Sequence, residues 1–464
     1  MPSPHPVLNL EFICRHSGGR LCHTAGQLMA LPLTGVSIDS RTLRPGELFV
    51  AIVGDHFDGH DFIAQAVAAG CGALLLSRPL PSPSLPVVQV DDTITALAQL
   101  ASAWRTEVDP ITVAITGSSG KTTVKEMVAL CLQQRWRTHA TKGNLNNHLG
   151  VPLTLLAMPA DCQALVVEMG MSAAGEIAAL ARLAQPRVGV ITSIAPAHLA
   201  HFPGGVTDIA RAKGELLAAL PDHDDALAII PAGTPFTDLW RSMARSRLYT
   251  VGDQSMGGDG CFSNHGTSWR FEWYSRQESL VLDHLPPMGG HIAHNMATAA
   301  MASRGIGVSL VEIGRGLQGY RAGAGRGRQH QAAGGWTVID DSYNANPGSM
   351  GAALAALRDV APPGHRVAVL GDMLELGPDS SRWHADLLAT IQQCAIDRLW
   401  LAGTAMAALY EAVRHHTPIQ VYYEQEPAAW LGRIAHQLHT QDWVLVKGSR
   451  GLRMERIVAD LIKN

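Results

Sequence analysis

The run Ile111-Thr-Val-Ala-Ile-Thr-Gly117-Ser118-Ser119-Gly120-Lys121-Thr122-Thr123 holds residue types suited to gripping a nucleotide phosphate. An apolar strand, Ile111–Thr116, feeds a glycine turn, and a helix opens from about Val124. Glycines let backbone N–H groups close around phosphate oxygens, and a helix N-terminus adds a positive dipole end. Lys121 supplies a full mobile charge, and the Thr122 hydroxyl can sit on Mg²⁺. The common phosphate-loop pattern has glycine where this chain has Ile115, so the loop is the shorter form G-x-x-G-K-T-T. Strand, turn and helix together point to ATP.

Other residues fit such a site less distinctively. Glu168 ends the apolar strand Ala164–Val167, at the edge where open α/β sheets bind ligands. His198 follows the run Val188–Thr192 by a short loop. Lys213 lies in the helix-like Ala210–Glu215, where composition alone puts it in solvent. Asn295 follows Gly289-Gly290-His291 on a helix, and an amide can pair with adenine's adjacent donor and acceptor. Arg326 sits in a Gly- and Arg-rich stretch, Gly314–Gly327, that reads as a flexible linker. Its GAGRGR has no preceding strand, so it is not a dinucleotide loop.

The elements around these residues are α/β throughout. A chain of 464 residues is too long for one core and suggests about three domains. The first closes at Asp109-Pro110, after a strand Val87–Val90 and a helix Thr93–Arg105. Strands Ala164–Glu168, Val188–Thr192 and Ala226–Ile230 alternate with Ala-rich helices, which predicts a mainly parallel central sheet. Gly252–Ser279 reads as an antiparallel appendage. Beyond Gly327, four strand-like runs (Trp336–Asp340, Arg366–Leu370, Arg398–Leu401 and Trp443–Val446) alternate with helices as a doubly wound third domain. The expected divisions are 1–108, 109–322 and 323–464.

Composition excludes several classes. Hydrophobic residues at 47% and charged residues at 16% suit a packed enzyme and not a disordered chain. With 36 Lys plus Arg against 40 Asp plus Glu, no nucleic acid or acidic membrane surface is expected as the main partner. The seven scattered cysteines form no C-x-x-C pair, which suits a reducing cytoplasm and not a disulfide framework or zinc site. Neither a signal peptide nor an apolar run of about 18 residues stands out, so no membrane insertion is expected.

With these words assembled, the chain resembles the Mur ligase family from Asp39 to Met454. The matching words begin with Asp39-Ser40-Arg41, Pro45–Ala51 and Asp58-Gly59-His60, followed by Gly143–Asn147 with Gly150–Thr154. Asp340–Pro347 is the most diagnostic, and Leu370–Gly377 and Val446–Arg450 complete the set. His148, Ala200 and the spacing His291–Asn295 depart from the usual pattern. The resemblance implies three domains: a UDP-binding α/β domain, a central parallel-sheet ATPase and a Rossmann-like third domain. It implies an ATP-dependent, ADP-forming ligase, and the third-domain words match members adding D-alanyl-D-alanine to UDP-N-acetylmuramoyl-tripeptide.

It further implies that Gly117–Thr123, Asn295 and Arg326 bind ATP, with Lys121, Glu168, His198, Lys213 and Arg326 catalytic. Mg²⁺ would be served by Thr122, Glu168, His198 and Lys213, with a possible carbamate on Lys213. Ser40, Arg41, Asn146, Asn147, Tyr343, Asn344 and Asn346 would contact the substrates, and a monomer is expected. Such a site must gather cations, because two unit charges 4 Å apart repel by about 4 kcal/mol at an effective dielectric near 20. Two alternatives stay open on the residues: a related ligase adding a single amino acid, or a nucleotide-binding protein that makes no bond.

Overall fold

The computed structural model describes residues 7–463, except 24–28, 31, 82–83, 197–198, 200–201, 266–267, 284–288 and 416–418. Its strands form three sheets, each feeding loops from its carboxyl edge. In the first, β1 (Arg20–His23), β2 (Val36–Ser37), β3 (Leu48–Val50), β4 (Ala73–Leu76) and β5 (Val87–Gln89) lie in the order β1-β5-β4-β3-β2. Only β1 runs antiparallel to its neighbour.

The central sheet holds β6 (Ile111–Thr116), β7 (Thr138–Ala140), β8 (Ala164–Glu168), β9 (Val188–Ile191), β10 (Leu227–Pro231) and β11 (Arg247–Asp253). It continues through β12 (Gly260–His265), β13 (Ser268–Trp273) and β14 (Glu278–Asp283), in the order β14-β13-β12-β11-β10-β9-β6-β8-β7. Strand β8 is buried at every residue, the pattern of a parallel strand covered on both faces. Pairing is parallel except for the hairpins β12–β13 and β13–β14, which form the expected antiparallel appendage.

The helix Thr93–Val108 ties these two units together. Asp92 caps its start, accepting from Thr95 N at 2.6 Å, and Asp109 ends it in the left-handed region before Pro110. Its Leu97, Leu100 and Trp104 share one apolar core with Val151, Leu155 and Leu165. Trp104 Nε1 donates to Met158 O at 2.9 Å, and Arg105 Nε to Ala184 O at 2.9 Å. Each large side chain buried there contributes about 1.5–3 kcal/mol, so this junction holds as one unit.

Gly314–Gly327 departs from the flexible linker expected of it. Its first part belongs to the helix Leu310–Gln318, which starts with a capping box between Ser309 and Glu312. The glycines there serve packing: a β-carbon on Gly316 would lie 2.7 Å from Cα of Cys131 on the phosphate-loop helix. The last part is also tied down, because Gly325 N donates to Asp340 Oδ2 at 2.8 Å and Tyr343 N to Gly325 O at 3.0 Å. Composition cannot separate a close-packing glycine from a flexible one.

The third sheet contains β15 (Arg328–Gln331), β16 (Thr337–Asp341), β17 (Arg366–Gly371), β18 (Arg398–Ala402), β19 (Gln420–Glu424) and β20 (Trp443–Lys447). Their order is β15-β16-β20-β17-β18-β19, with β15 alone antiparallel. The four expected strands are the inner ones. The two that periodicity missed are edges, whose polar sequences RQHQ and QVYYE lack a continuous apolar run.

Candidate active site

The parallel register sets the site at the carboxyl ends of β6, β8 and β9. Ile115 pairs with Glu168 on one side and Thr116 with Ile191 on the other, so the turn after β6 emerges between the loops of both neighbours. Open α/β sheets bind ligands in such a crevice. Gly117 and Gly120 have φ of 150° and 82°, and a β-carbon on Gly117 would meet Thr192 Oγ1. Neighbouring loops brace the turn. Ser118 N donates to Ser193 O at 2.9 Å, Ser119 N to Ser193 Oγ at 2.9 Å, and Ser118 Oγ to Ala195 O at 3.0 Å. The helix Lys121–Gln133 then begins, and the N–H groups of its first turn have no partner within the helix.

Cations and one carboxylate converge on this turn. Lys121 Nζ donates to Gly117 O at 2.8 Å. Burial pushes the Lys121 ammonium below the usual lysine range; Glu168 pulls it back up and Arg326 pushes it further down. Glu168 is buried, and Thr122 Oγ1 donates to its Oε2 at 2.7 Å while Asn146 Nδ2 donates to its Oε1 at 2.8 Å. A hydroxyl beside a carboxylate is a hard-oxygen pair suited to Mg²⁺, which takes one or two protein oxygens and completes its octahedron with phosphate and water. Among the described residues no group of three or more His, Cys, Asp or Glu stands together as a metal cluster.

Lys213 is a correction to the composition reading. It is buried on the helix Val206–Ala218, and burial first, then Lys121, hold its ammonium well below the ordinary range. Asn295 is buried against the turn, its Oδ1 2.9 Å from where a β-carbon of Gly120 would stand. That position braces the phosphate loop directly. Lys125 carries no obvious sequence signal beyond its place one turn after Lys121. It is buried with Nζ donating to Thr141 O at 2.8 Å, while Thr141 Oγ1 accepts from Glu168 N at 3.0 Å.

The third domain closes over the loop. Asn346 caps the helix Pro347–Val360, accepting from Ser349 N at 2.8 Å, and its Nδ2 donates to Ser119 Oγ at 3.0 Å. Its side chain is therefore engaged as a cap and an interdomain tie, where sequence suggested a substrate contact. Arg326 lies over the Tyr343 ring with its guanidinium carbon 4.0 Å from the centroid, and Arg450 lies 5.5 Å from the same centroid. Lys447 is buried and donates to Asp341 Oδ2 at 2.6 Å and Asn344 O at 2.9 Å, which fixes the loop and leaves Asn344 exposed. Past Arg450, Gly451 to Arg453 help line a cavity of about 320 Å³ with Asp372, Thr404 and Arg456.

The other expected residues lie apart from this cluster or outside it. Asn147 Oδ1 accepts from Gly150 N at 2.9 Å, starting the helix Gly150–Leu156. Ser40 donates to Gln65 Oε1 at 2.9 Å and Arg41 is exposed, pairing with Asp39 at 2.8 Å. Both belong to the first domain. His198 lies outside the described residues.

Family models match three segments: "Mur ligase family, catalytic domain" over residues 32–105, "Mur ligase middle domain" over 115–303, and "Mur ligase, glutamate ligase domain" over 325–450. The chain is 38% identical to the UDP-N-acetylmuramoyl-tripeptide--D-alanyl-D-alanine ligase of Escherichia coli, covering 95% of this chain and 96% of that one. It is 36% identical to the Bacillus subtilis enzyme of the same name, over 93% of each chain. A crystal structure of MurF from Acinetobacter baumannii superposes with a TM-score of 0.88 at 33% identity, covering 99% of both chains. MurF ligase from Thermotoga maritima in complex with ADP gives 0.79 at 27% identity, covering 92% of this chain and 96% of that one.

Proposed function

This chain belongs to the Mur ligase family, and from that membership and the site's geometry we propose that it joins D-alanyl-D-alanine to UDP-N-acetylmuramoyl-tripeptide. It is an ATP-dependent amide ligase that forms ADP and a pentapeptide precursor of peptidoglycan. The supporting observation is the tie between Asn346 of the third domain and Ser119 of the phosphate loop. It makes one cleft of the nucleotide site and the Tyr343–Asn344 loop.

In the proposed reaction, residues 1–108 hold the UDP end of the substrate, with Ser40 and Arg41 at its surface. Residues 109–322 hold ATP, and residues 323–464 present the acceptor through Tyr343 and Asn344. The turn Gly117–Thr123 and Lys121 receive the nucleotide phosphates, and Asn295 supports the turn at Gly120. Thr122 and Glu168 would hold Mg²⁺, with Asn146 orienting the carboxylate. The ion supplies charge neutralisation between the transferring phosphoryl group and the attacking carboxylate. Arg326 closes on the γ-phosphate from the third domain.

Phosphorylation gives the tripeptide carboxylate a leaving group. The dipeptide amine then attacks the acyl phosphate, and a tetrahedral intermediate collapses to amide and phosphate. Closure over the cleft excludes water that would hydrolyse the acyl phosphate. Lys213, held toward its neutral form, can add CO₂ and release a proton to give a carbamate, an anion with two oxygens that could help order a metal. His198, outside the described residues, keeps the role toward the phosphates that the family resemblance implies. On the family reading the enzyme acts in the cytoplasm as a monomer. Separately, no helix among the described residues is long and apolar enough to cross a membrane.

The test is ADP release measured with matched sets of UDP-linked peptides and amines. Release that requires both UDP-N-acetylmuramoyl-tripeptide and D-alanyl-D-alanine supports the reading. Release with single amino acids, or with no acceptor, would move the chain to another ligase or to a non-ligating nucleotide-binding protein.

A further inference from the structure

Arg326 and Arg450 meet on the Tyr343 ring, and no carboxylate among the described residues pairs with either. The nearby acids are already engaged: Asp341 accepts from Lys447, and Asp340 from Ser342 and Gly325. An aromatic face attracts each guanidinium by about 0.5–1 kcal/mol at sites such as these, where Arg326 is half-buried and Arg450 exposed. Two cations at the widest spacing these ring distances allow, about 10 Å, repel by roughly 2 kcal/mol at an effective dielectric near 20. The two effects nearly cancel, so the ring holds the pair at a spacing without neutralising it. Such an arrangement awaits an anionic ligand.

The two arginines are not equivalent. Arg326 is close enough to depress both Lys121 and Lys125, which puts it on the phosphate side of the ring. Arg450 is exposed. It follows β20, and the chain beyond it runs into the wall of the 320 Å³ cavity. The ring centroid lies 4.0 Å from one guanidinium carbon and 5.5 Å from the other, so they stand no more than about 10 Å apart.

We propose that Arg450 binds the terminal carboxylate of the acceptor dipeptide and thereby measures its length. The proposal rests on the acceptor being D-alanyl-D-alanine. A residue advances about 3.5 Å, so a dipeptide reaches roughly 7 Å from amine to carboxylate and a single amino acid about half that. With its carboxylate on Arg450, a dipeptide brings its amine to the acyl carbon beside the phosphoryl group that Arg326 faces. A single amino acid anchored the same way falls one residue short. Arg450 is thus a specificity-determining residue, and Tyr343 is the spacer that sets the distance.

The experiment compares D-alanyl-D-alanine with D-alanyl-D-alaninamide, which keeps the length and loses the charge, in ADP-release kinetics. Wild type should use the amide with kcat/KM lower by about 10- to 100-fold, the range for losing a charge-assisted hydrogen bond. Arg450→Gln should raise KM for the dipeptide by a similar factor, leave KM for ATP within about twofold, and reduce the amide penalty to under about threefold. Arg450→Lys should recover part of the affinity.

A wild type that uses amide and acid equally overturns the proposal without any variant. So does an Arg450→Gln enzyme that keeps the full amide penalty, or one whose ATP KM rises as much as its dipeptide KM. A wild type that turns over single amino acids but not the dipeptide fails earlier, at the proposed function, and removes the premise as well.

Discussion

Asn346 offers a substitution pair that separates two roles of one side chain. Its Oδ1 caps the helix Pro347–Val360, and its Nδ2 reaches Ser119 Oγ at 3.0 Å across the domain junction. Asn346→Ala removes both, at a cost of about 1 kcal/mol for the cap and about 1 kcal/mol for the hydrogen bond. Asn346→Asp keeps the cap acceptor, and its charge suits a helix N-terminus. That same charge then stands against the phosphate loop. A nucleotide phosphate bound within about 7 Å of it would be repelled by about 2 kcal/mol per unit charge at an effective dielectric near 20.

Thermal unfolding and ATP kinetics together read the difference. Asn346→Asp should melt within a few degrees of wild type while kcat/KM for ATP falls about 10- to 100-fold, partly restored by salt. Asn346→Ala should melt lower and lose less than about tenfold in kcat/KM. An Asn346→Asp enzyme with wild-type ATP kinetics would refute the closed junction as the catalytic arrangement.

Lys121→Ala should fold and lose about 10²-fold or more in turnover, because a preorganised charge on the transferring phosphoryl group is gone; near-normal turnover by the folded variant would remove Lys121 from the site. Lys213→Ala should be nearly inactive and partly rescued by acetate, and wild type should slow when CO₂ is stripped. If neither occurs, Lys213 acts as an unmodified residue. His294, pushed down to about 4 mainly by burial, remains neutral in the fold while the unfolded chain protonates near 6.5. Its contribution is therefore complete above about pH 6.5 and is lost as pH falls toward 4, by about 2 kcal/mol at pH 5. Urea unfolding across that range should show His294→Gln with a flatter pH slope than wild type, and identical slopes would contradict the assignment.

The phosphate loop was legible because its evidence is local. Strand, glycine turn and lysine lie within 13 consecutive residues of one run, and the glycines' positive φ needs no distant partner to be inferred. The inner strands of the third sheet were legible for the same reason: a strand buried on both faces must be continuously apolar. The edge strands β15 and β19 were not, since a strand paired on one side can carry polar residues.

Tertiary contact decided the rest. Sequence gave Lys213 the look of a solvated lysine, and only the packing of its helix shows it buried beside Lys121. Gly316 looked like linker until the neighbouring helix backbone came within reach, and Gly314 until the Leu280 side chain did. Asn346 and Ser119 are 227 residues apart, and Arg326, Tyr343 and Arg450 meet from three separate loops. Local propensity fixes an element from its own residues, but charge and desolvation act through space. The fate of a polar side chain therefore depends on neighbours that the chain delivers only after it has folded.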